Sequence, residues 1–253
     1  MKKNLIILFF GLTLSSVVWA QPEFLQKEMV DLTHVLNKSV PQYAELHPFT
    51  QQKISSYESG YLSYVLSMPE HIGTHVDAPN HFSPSGKSVD QLDIINLVGN
   101  AVVINIAEYS RNSDYEFTLR DLRTWESLHG PILKNSIVIL RTGWESKWFQ
   151  PKNYLNRDKN GVMHFPGFSC EVAEYLSQHR SVRALGTDTL SIDPGKSQDF
   201  CAHKVFLHKE KYAIEGLTNL EKLPARGAVI VVSPIKVGGG TGAPARVIAW
   251  VPY

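Results

Sequence analysis

Short runs rich in β-branched and aliphatic residues recur along this chain at positions 29–32, 61–67, 101–106, 136–141, 182–187, 228–233 and 246–251. Each is too short for a helix and is bounded by polar or turn-forming residues, so each predicts a buried strand. Between them the apolar positions switch to helical spacing. Thr118 and Asp121 make a capping-box-like start, Leu119, Leu122, Trp125 and Leu128 then fall on one face, and Gly130 stops the helix. Ser169 caps a second helix, on which Val172, Ala173 and Leu176 share a face. Strands and helices mix throughout, which makes the class α/β, and no repeat or linker divides the chain. One stretch departs from the pattern. Residues 149–163, with Pro151, Asn153, Asn156, Asp158, Asn160 and Gly161, read as a long polar excursion, either a lid or a tolerated surface insertion.

The beginning of the chain is a different material. Lys2 and Lys3 precede an apolar run over 5–14, and small residues at Val18 and Ala20 follow. This predicts a secretory signal peptide over residues 1–20, cut before Gln21, with one domain over 21–253. The apolar run is shorter than the ~20 residues of a membrane span, and no cysteine near the junction offers a lipid anchor. The mature protein is therefore expected to be periplasmic or secreted and free of the membrane.

Composition narrows the partners. The net charge of +1 comes from 25 basic and 24 acidic residues without long runs of one sign, which speaks against a nucleic-acid or membrane-surface partner. The two cysteines, Cys170 and Cys201, could bridge in an exported protein. A domain of this size does not need a bridge, so the expectation is two buried free thiols.

The candidate chemistry lies in "HIGTHVDAPNHF", residues 71–82, where three of the ten histidines meet an aspartate. His71, His75, Asp77 and His81 are all odd-numbered, so an extended backbone would project them from one face. At ~3.3 Å per residue a straight strand holds His71 about 13 Å from His75, too far to share an ion. Gly73 permits a bend and Pro79 ends regular pairing, which predicts a turned segment that folds His71 back toward His75 and Asp77. Imidazole and carboxylate donors suit Zn²⁺ or Mn²⁺, and three such ligands leave a position for water. Further along, His203 sits in a helical pattern and Glu215 closes the strand-like Tyr212-Ala213-Ile214, so a helix and a returning strand can bring the two together. His208 reads as a surface residue.

The segment is similar to the His-x-Gly-Thr-His-x-Asp-x-Pro-x-His signature of the cyclase-like metal-dependent hydrolases, which include bacterial kynurenine formamidases and isatin hydrolases. The similarity continues through "VDLTHVLNKSVPQY", "ILRTGW", "FPGFSCEVAEYL", "ALGTDTLSID", "AHKVFLHKEKYAIEGLTNL" and "GTGAPARVIAWVP". The resemblance implies a cyclase-like, kynurenine formamidase-like single domain with a mixed β-sheet core and flanking helices, assembled as a homodimer or tetramer. It implies one or two ions of Zn²⁺ or Mn²⁺ per subunit. His71, His75 and Asp77 would hold the first, and Asp77, His203 and Glu215 the second, with Glu215 also reaching the first. His81 would be the catalytic acid/base and Tyr43 an aromatic wall for a small aryl amide. A divalent ion acidifies water to a pKa of about 7 and polarises a carbonyl, and a histidine can protonate the leaving nitrogen.

Other signals carry less. "VGGGTGAPAR" has dinucleotide-loop spacing but leads into a strand rather than a helix, so it reads as a loop near the site or as a plain strand connection. Ser169 and Ser191 lack the strained elbow of a hydrolase nucleophile. Asp188 and Asp193 suit either ligand orientation or strand-end turns. The rival reading is a periplasmic metal-binding protein without catalysis, which has no use for His81 or for an aromatic pocket at Tyr43.

Overall fold

A computed structural model describes residues 28–43 and 47–251, and the expected signal peptide lies outside them. Among the described residues no helix is long and apolar enough to cross a membrane. The strands are β1 (Glu28–Asp31), β2 (Thr50–Ser55), β3 (Ser63–Ser67), β4 (His75–Asp77), β5 (Val98–Asn105), β6 (Glu116–Phe117), β7 (Ile137–Arg141), β8 (Gly167–Phe168), β9 (Ala184–Thr187), β10 (Tyr212–Glu215), β11 (Arg226–Pro234) and β12 (Gly242–Val251). The α-helices are α1 (Leu119–His129), α2 (Pro151–Leu155), α3 (Cys170–Gln178) and α4 (Cys201–Leu207).

The principal sheet runs β1-β12-β11-β5-β7-β9-β10-β4, and β4 pairs back onto β12. Strands β12 through β4 therefore form a closed ring, with β1 added along β12 beyond β4. Closure pairs both edges of each ring strand, which leaves little backbone unsatisfied. The β5, β7, β9 and β10 ladders are parallel, and the others are antiparallel.

Alternation along these strands builds two cores. Ala101, Val103, Ile137, Ile139, Ala184 and Ile214 point inward and meet Val30, Val76 and Val247. Their neighbours Val102, Ile104, Val138, Leu140, Leu185 and Ala213 point outward, beneath Leu122 and Trp125 of α1, Leu176 of α3 and Phe206 of α4. Burial on both faces is why these strands read as unbroken apolar runs. Both expected caps form: Thr118 Oγ1 accepts from Asp121 N at 3.3 Å, and Ser169 Oγ from Val172 N at 3.3 Å.

Three expectations change. The 61–67 run does form a strand, β3, but it pairs with β2 in a separate hairpin and its side chains are largely exposed. Cys170 and Cys201 are not free thiols but a disulfide, with Cα atoms 5.3 Å apart, because they open two helices that lie side by side. The 149–163 stretch is anchored rather than loose. Its Tyr154 is fully buried, its backbone carbonyl accepting from Trp144 Nε1 at 2.7 Å and its hydroxyl donating to Asp188 O at 2.9 Å. Trp148, Leu155 and Met163 join it in a third apolar cluster that reaches Leu190.

Candidate metal centre

Strands β4 and β10 lie side by side with His75 opposite Glu215 and Asp77 opposite Ala213. Val76 and Ile214 turn inward to the ring core, so His75, Asp77 and Glu215 all turn outward. The period of two thus places three donors on one short ladder. His71 reaches them through a turn at Gly73, whose φ of +66° is strained for any other residue. Gly242 makes room for the returning ring, since a Cβ there would stand 2.6 Å from His71 Cε1. The turned segment expected from the sequence is the one observed. His203 comes from α4, over the same floor.

The hydrogen-bond network assigns the tautomer of each imidazole. Thr241 Oγ1 gives its one proton to Glu70 Oε2 at 2.6 Å, so at 3.0 Å from His71 Nε2 it can act only as acceptor. His71 Nε2 therefore carries a hydrogen, and its Nδ1 is the nitrogen turned toward the carboxylates, 2.7 Å from Asp77 Oδ1. His75 donates Nδ1–H to Gly73 O at 3.0 Å, which turns Nε2 toward the same groups, at 3.2 Å from Asp77 Oδ1 and 3.4 Å from Glu215 Oε2. His203 donates Nδ1–H to Asp193 Oδ2 at 2.6 Å, and its Nε2 lies 3.0 Å from both Asp77 Oδ2 and Glu215 Oε1. Three imidazole nitrogens face two carboxylates, an arrangement that needs a cation or protons between them.

The charge balance says the same. Asp77, Asp193 and Glu215 are almost fully buried, and among the described residues their ion-pair partners are imidazoles, with no Lys or Arg. Buried carboxylates without a compensating cation are costly. In the absence of an ion the cage draws in protons. Burial opposes charge on His75, but the hydrogen bond and charge of Asp77, with Glu215, outweigh it and raise its pKa to about 9. His203 is raised in the same way against its burial, chiefly by Glu215 and Asp193. Burial would lift the Asp77 carboxyl, yet the imidazoles of His71, His203 and His75 hold it well below the usual range. The donor set fits a divalent ion. His75, Asp77 and Glu215 each offer a ligand atom within 4.8 Å of the others, and so do His71, Asp77 and His81.

His81 ends a short turn after Pro79, and its ring stacks on His71 with centroids 4.0 Å apart. Desolvation at the cavity lowers its pKa to about 4 against the charge of Asp77, and the imidazoles of His71, His203 and His75 add to the fall, so the ring is neutral at pH 7. Above the donors lies a cavity of about 330 Å³ walled by Tyr43, Phe82, Leu190, Ser191 and Phe200. Tyr43 is one of the residues that line it. Phe200 precedes α4 in the left-handed region at φ +51°, an uncommon conformation for an aromatic residue that aims its ring at Tyr43 and Phe82. Asp193 orients His203, whereas Asp188 caps Thr142 N at 2.8 Å and serves the turn. His208 is exposed, as expected.

The residues that sequence reasoning missed are Glu70, Thr241, Phe82, Leu190 and Phe200. Glu70 and Phe82 flank the histidine segment and could have been read with it. Thr241 lies in the glycine-rich loop, and nothing in its spacing signals a contact across 170 positions.

The Cyclase family model matches residues 30–194. The chain belongs to the Cyclase family. This family member is 33% identical over 245 residues to the isatin hydrolase of Roseibium aggregatum, covering 89% of this chain and 92% of that one. It is 25% identical over 223 residues to a kynurenine formamidase of Bacillus thuringiensis, covering 87% and 96%. Among solved structures, isatin hydrolase A from Ralstonia solanacearum superposes with a TM-score of 0.85 at 34% identity, covering 90% of this chain and 93% of that one. An isatin hydrolase bound to the product analogue thioisatinate gives 0.85 at 31%, covering 89% and 93%. The single-domain α/β fold with a mixed sheet is shared with these structures.

Proposed function

We propose that this Cyclase family member is a metal-dependent hydrolase that cleaves the C–N bond of a small aryl amide, either an aryl formamide or a cyclic amide of the isatin kind. The observation that carries the reading is the meeting of His71 Nδ1 with Asp77 Oδ1 at 2.7 Å, beside His75 and Glu215, beneath an aromatic cavity. His71, His75 and Asp77, with Glu215 and His203, would hold one or two ions of Zn²⁺ or Mn²⁺. Bound there, such an ion supplies a Lewis acid for the carbonyl and lowers the pKa of water.

The chain's own residues do the rest. Phe82, Phe200, Tyr43 and Leu190 offer flat apolar faces to an aryl ring and exclude water from it. His81, neutral and open to the cavity, accepts the proton released as water adds to the carbonyl carbon. It then returns that proton to the nitrogen as the C–N bond breaks, so one histidine serves as base and then acid. The 33% identity with an isatin hydrolase favours the cyclic amide.

His81→Ala tests this reading against that of a metal carrier. The variant is expected to keep its metal content and to lose about 10²–10⁴-fold in kcat on isatin or an aryl formamide. Normal turnover by the variant removes the catalytic role.

Export is part of the same proposal. It is supported by the Lys2-Lys3 and apolar pattern of the leader and by the Cys170–Cys201 disulfide, which suits an oxidising compartment. N-terminal sequencing of the protein from fractionated cells is expected to begin at Gln21.

A further inference from the structure

The parallel strands β5 and β7 end side by side, with Asn105 opposite Arg141. The carboxyl ends of parallel strands are where α/β folds commonly place ligands. A cavity of about 340 Å³ lies there, walled by Asn105, Trp125, His129, Arg141, Glu221 and Leu223 among others. It shares no wall residue with the cavity above the metal cage, and its volume is that of a small-molecule site.

Arg141 is the group there that the fold leaves unused. Four arginines are half-buried among the described residues. Arg180 holds Glu126 at 2.7 Å, Arg226 donates to Gly130 O at 2.6 Å, and Arg183 donates to Val98 O. The Arg141 guanidinium has neither a hydrogen bond nor an ion pair among the described residues, and its Nε is buried. Its neighbours in the "ILRTGW" run all have structural tasks: Thr142 binds Asp188, and Trp144 binds the Tyr154 carbonyl. A charge withdrawn from water without a partner is costly, so this fork calls for an anion.

The walls specify which anion. A guanidinium takes a planar carboxylate through two parallel N–H donors. Trp125 and His129 stack with ring centroids 4.6 Å apart and give the cavity a flat π-surface, with Leu223 as an apolar neighbour. Glu221 stands exposed at the same cavity, where its charge repels a phosphate dianion and its oxygens can accept an N–H.

We propose that this cavity is a second small-molecule site, which takes an aryl carboxylate bearing an amino group. The carboxylate lies on Arg141, the ring against Trp125 and His129, and the amine toward Glu221. The choice of this class rests on the hydrolase reading, because water that cleaves a cyclic aryl amide leaves a carboxylate and an arylamine on one molecule. The site itself rests on the geometry alone. The protein thus holds a molecule of its product's class away from the metal cage.

The probe is 2-aminobenzoate. Titrated calorimetrically into mature protein loaded with Mn²⁺, it is expected to bind with a Kd of about 10⁻⁴ M. Arg141→Gln is expected to weaken this binding about 10–100-fold. His129→Ala, at an exposed position where folding is not at stake, is expected to weaken it about 2–10-fold. Phe200→Ala, which opens the other cavity, should leave it unchanged, and turnover of isatin at saturation should be unchanged in the Arg141 and His129 variants. Absence of saturable binding overturns the proposal. So does binding that Arg141→Gln and His129→Ala leave intact, that only Phe200→Ala weakens, or that inorganic phosphate displaces at equal concentration. Arg141-dependent binding in a protein that hydrolyses no aryl amide upholds the site and removes the hydrolase reading instead.

Discussion

The β4–β10 pair and the β2–β3 hairpin are both short antiparallel ladders, and they break the rule of apolar inside and polar outside in opposite directions. The first buries His75, Asp77 and Glu215 almost completely, and the second leaves Val65 and Leu66 half in water. Neighbours make the difference. β4 has β10 on one side and β12 on the other, with α4 nearby bringing His203, whereas among the described residues β3 has β2 alone. Charge held away from water and apolar surface held in it are both costly. The first gathers donors that fit a small cation, and the second is an uncovered apolar surface.

The strongest way to break this contrast is Asp77→Asn. Asp77 faces three imidazoles, and removing one partner of a buried charged set costs about 3–5 kcal/mol, expected here as about 10²–10⁴-fold weaker binding of Mn²⁺ or Zn²⁺ in a calorimetric titration. Unchanged affinity would take Asp77 out of the cage. A smaller effect is expected from Thr241→Val, which keeps the shape and removes the hydroxyl that fixes the His71 tautomer. Metal affinity measured by chelator competition should fall about 10–100-fold and return with Thr241→Ser. Equal losses in both variants would mean that Thr241 matters for packing alone.

The smallest effect lies on the flank of the floor. Glu145 accepts from Thr218 Oγ1 at 2.8 Å and from Asn219 N, just beyond β10. Burial raises its pKa from 4.5 to about 7, with the charges of Asp188 and Glu221 adding to the rise. Below about pH 4.5 the proton is bound whether the chain is folded or not, and its stabilising contribution is fully present. As the pH climbs to 7 and beyond, the unfolded chain has released the proton and the folded one must follow, so that contribution is lost. Glu145→Gln keeps the acceptor and cannot ionise. Wild type should therefore lose about 1 kcal/mol more stability than this variant between about pH 5 and pH 8, after allowing for its partial exposure. Parallel pH profiles in urea denaturation would refute this.

How much of the molecule is legible in its sequence follows the same contrast. Strands β5, β7 and β9 are readable because burial on both faces demands unbroken apolar runs. Helices α1 and α3 are readable because Thr118, Ser169 and Gly130 act locally. The parity of His75 and Asp77 and the bend at Gly73 are local too, so one side of the cage can be drawn from the residue order alone. What stays hidden depends on distant partners. Nothing near residues 61–67 says that β3 finds no cover, because burial belongs to the neighbours and not to the strand. The Cys170–Cys201 bond spans 31 positions and is decided by how α3 and α4 lie together. Thr241 is invisible as a tautomer-setting group until β12 returns beside β4.

Three of the cage's donors stand on strands locked into the ring, and His203 alone stands on a helix, the seven-residue α4. Cys201, two positions earlier, ties the start of that helix to its neighbour. Asp193 holds the same turn by accepting from Ala202 N at 2.8 Å and from His203 N at 3.1 Å, and Phe206 and Leu207 are buried beneath it. The helical donor is thus steadied by a covalent cross-link and a carboxylate, support that His75, Asp77 and Glu215 take from their ladders instead.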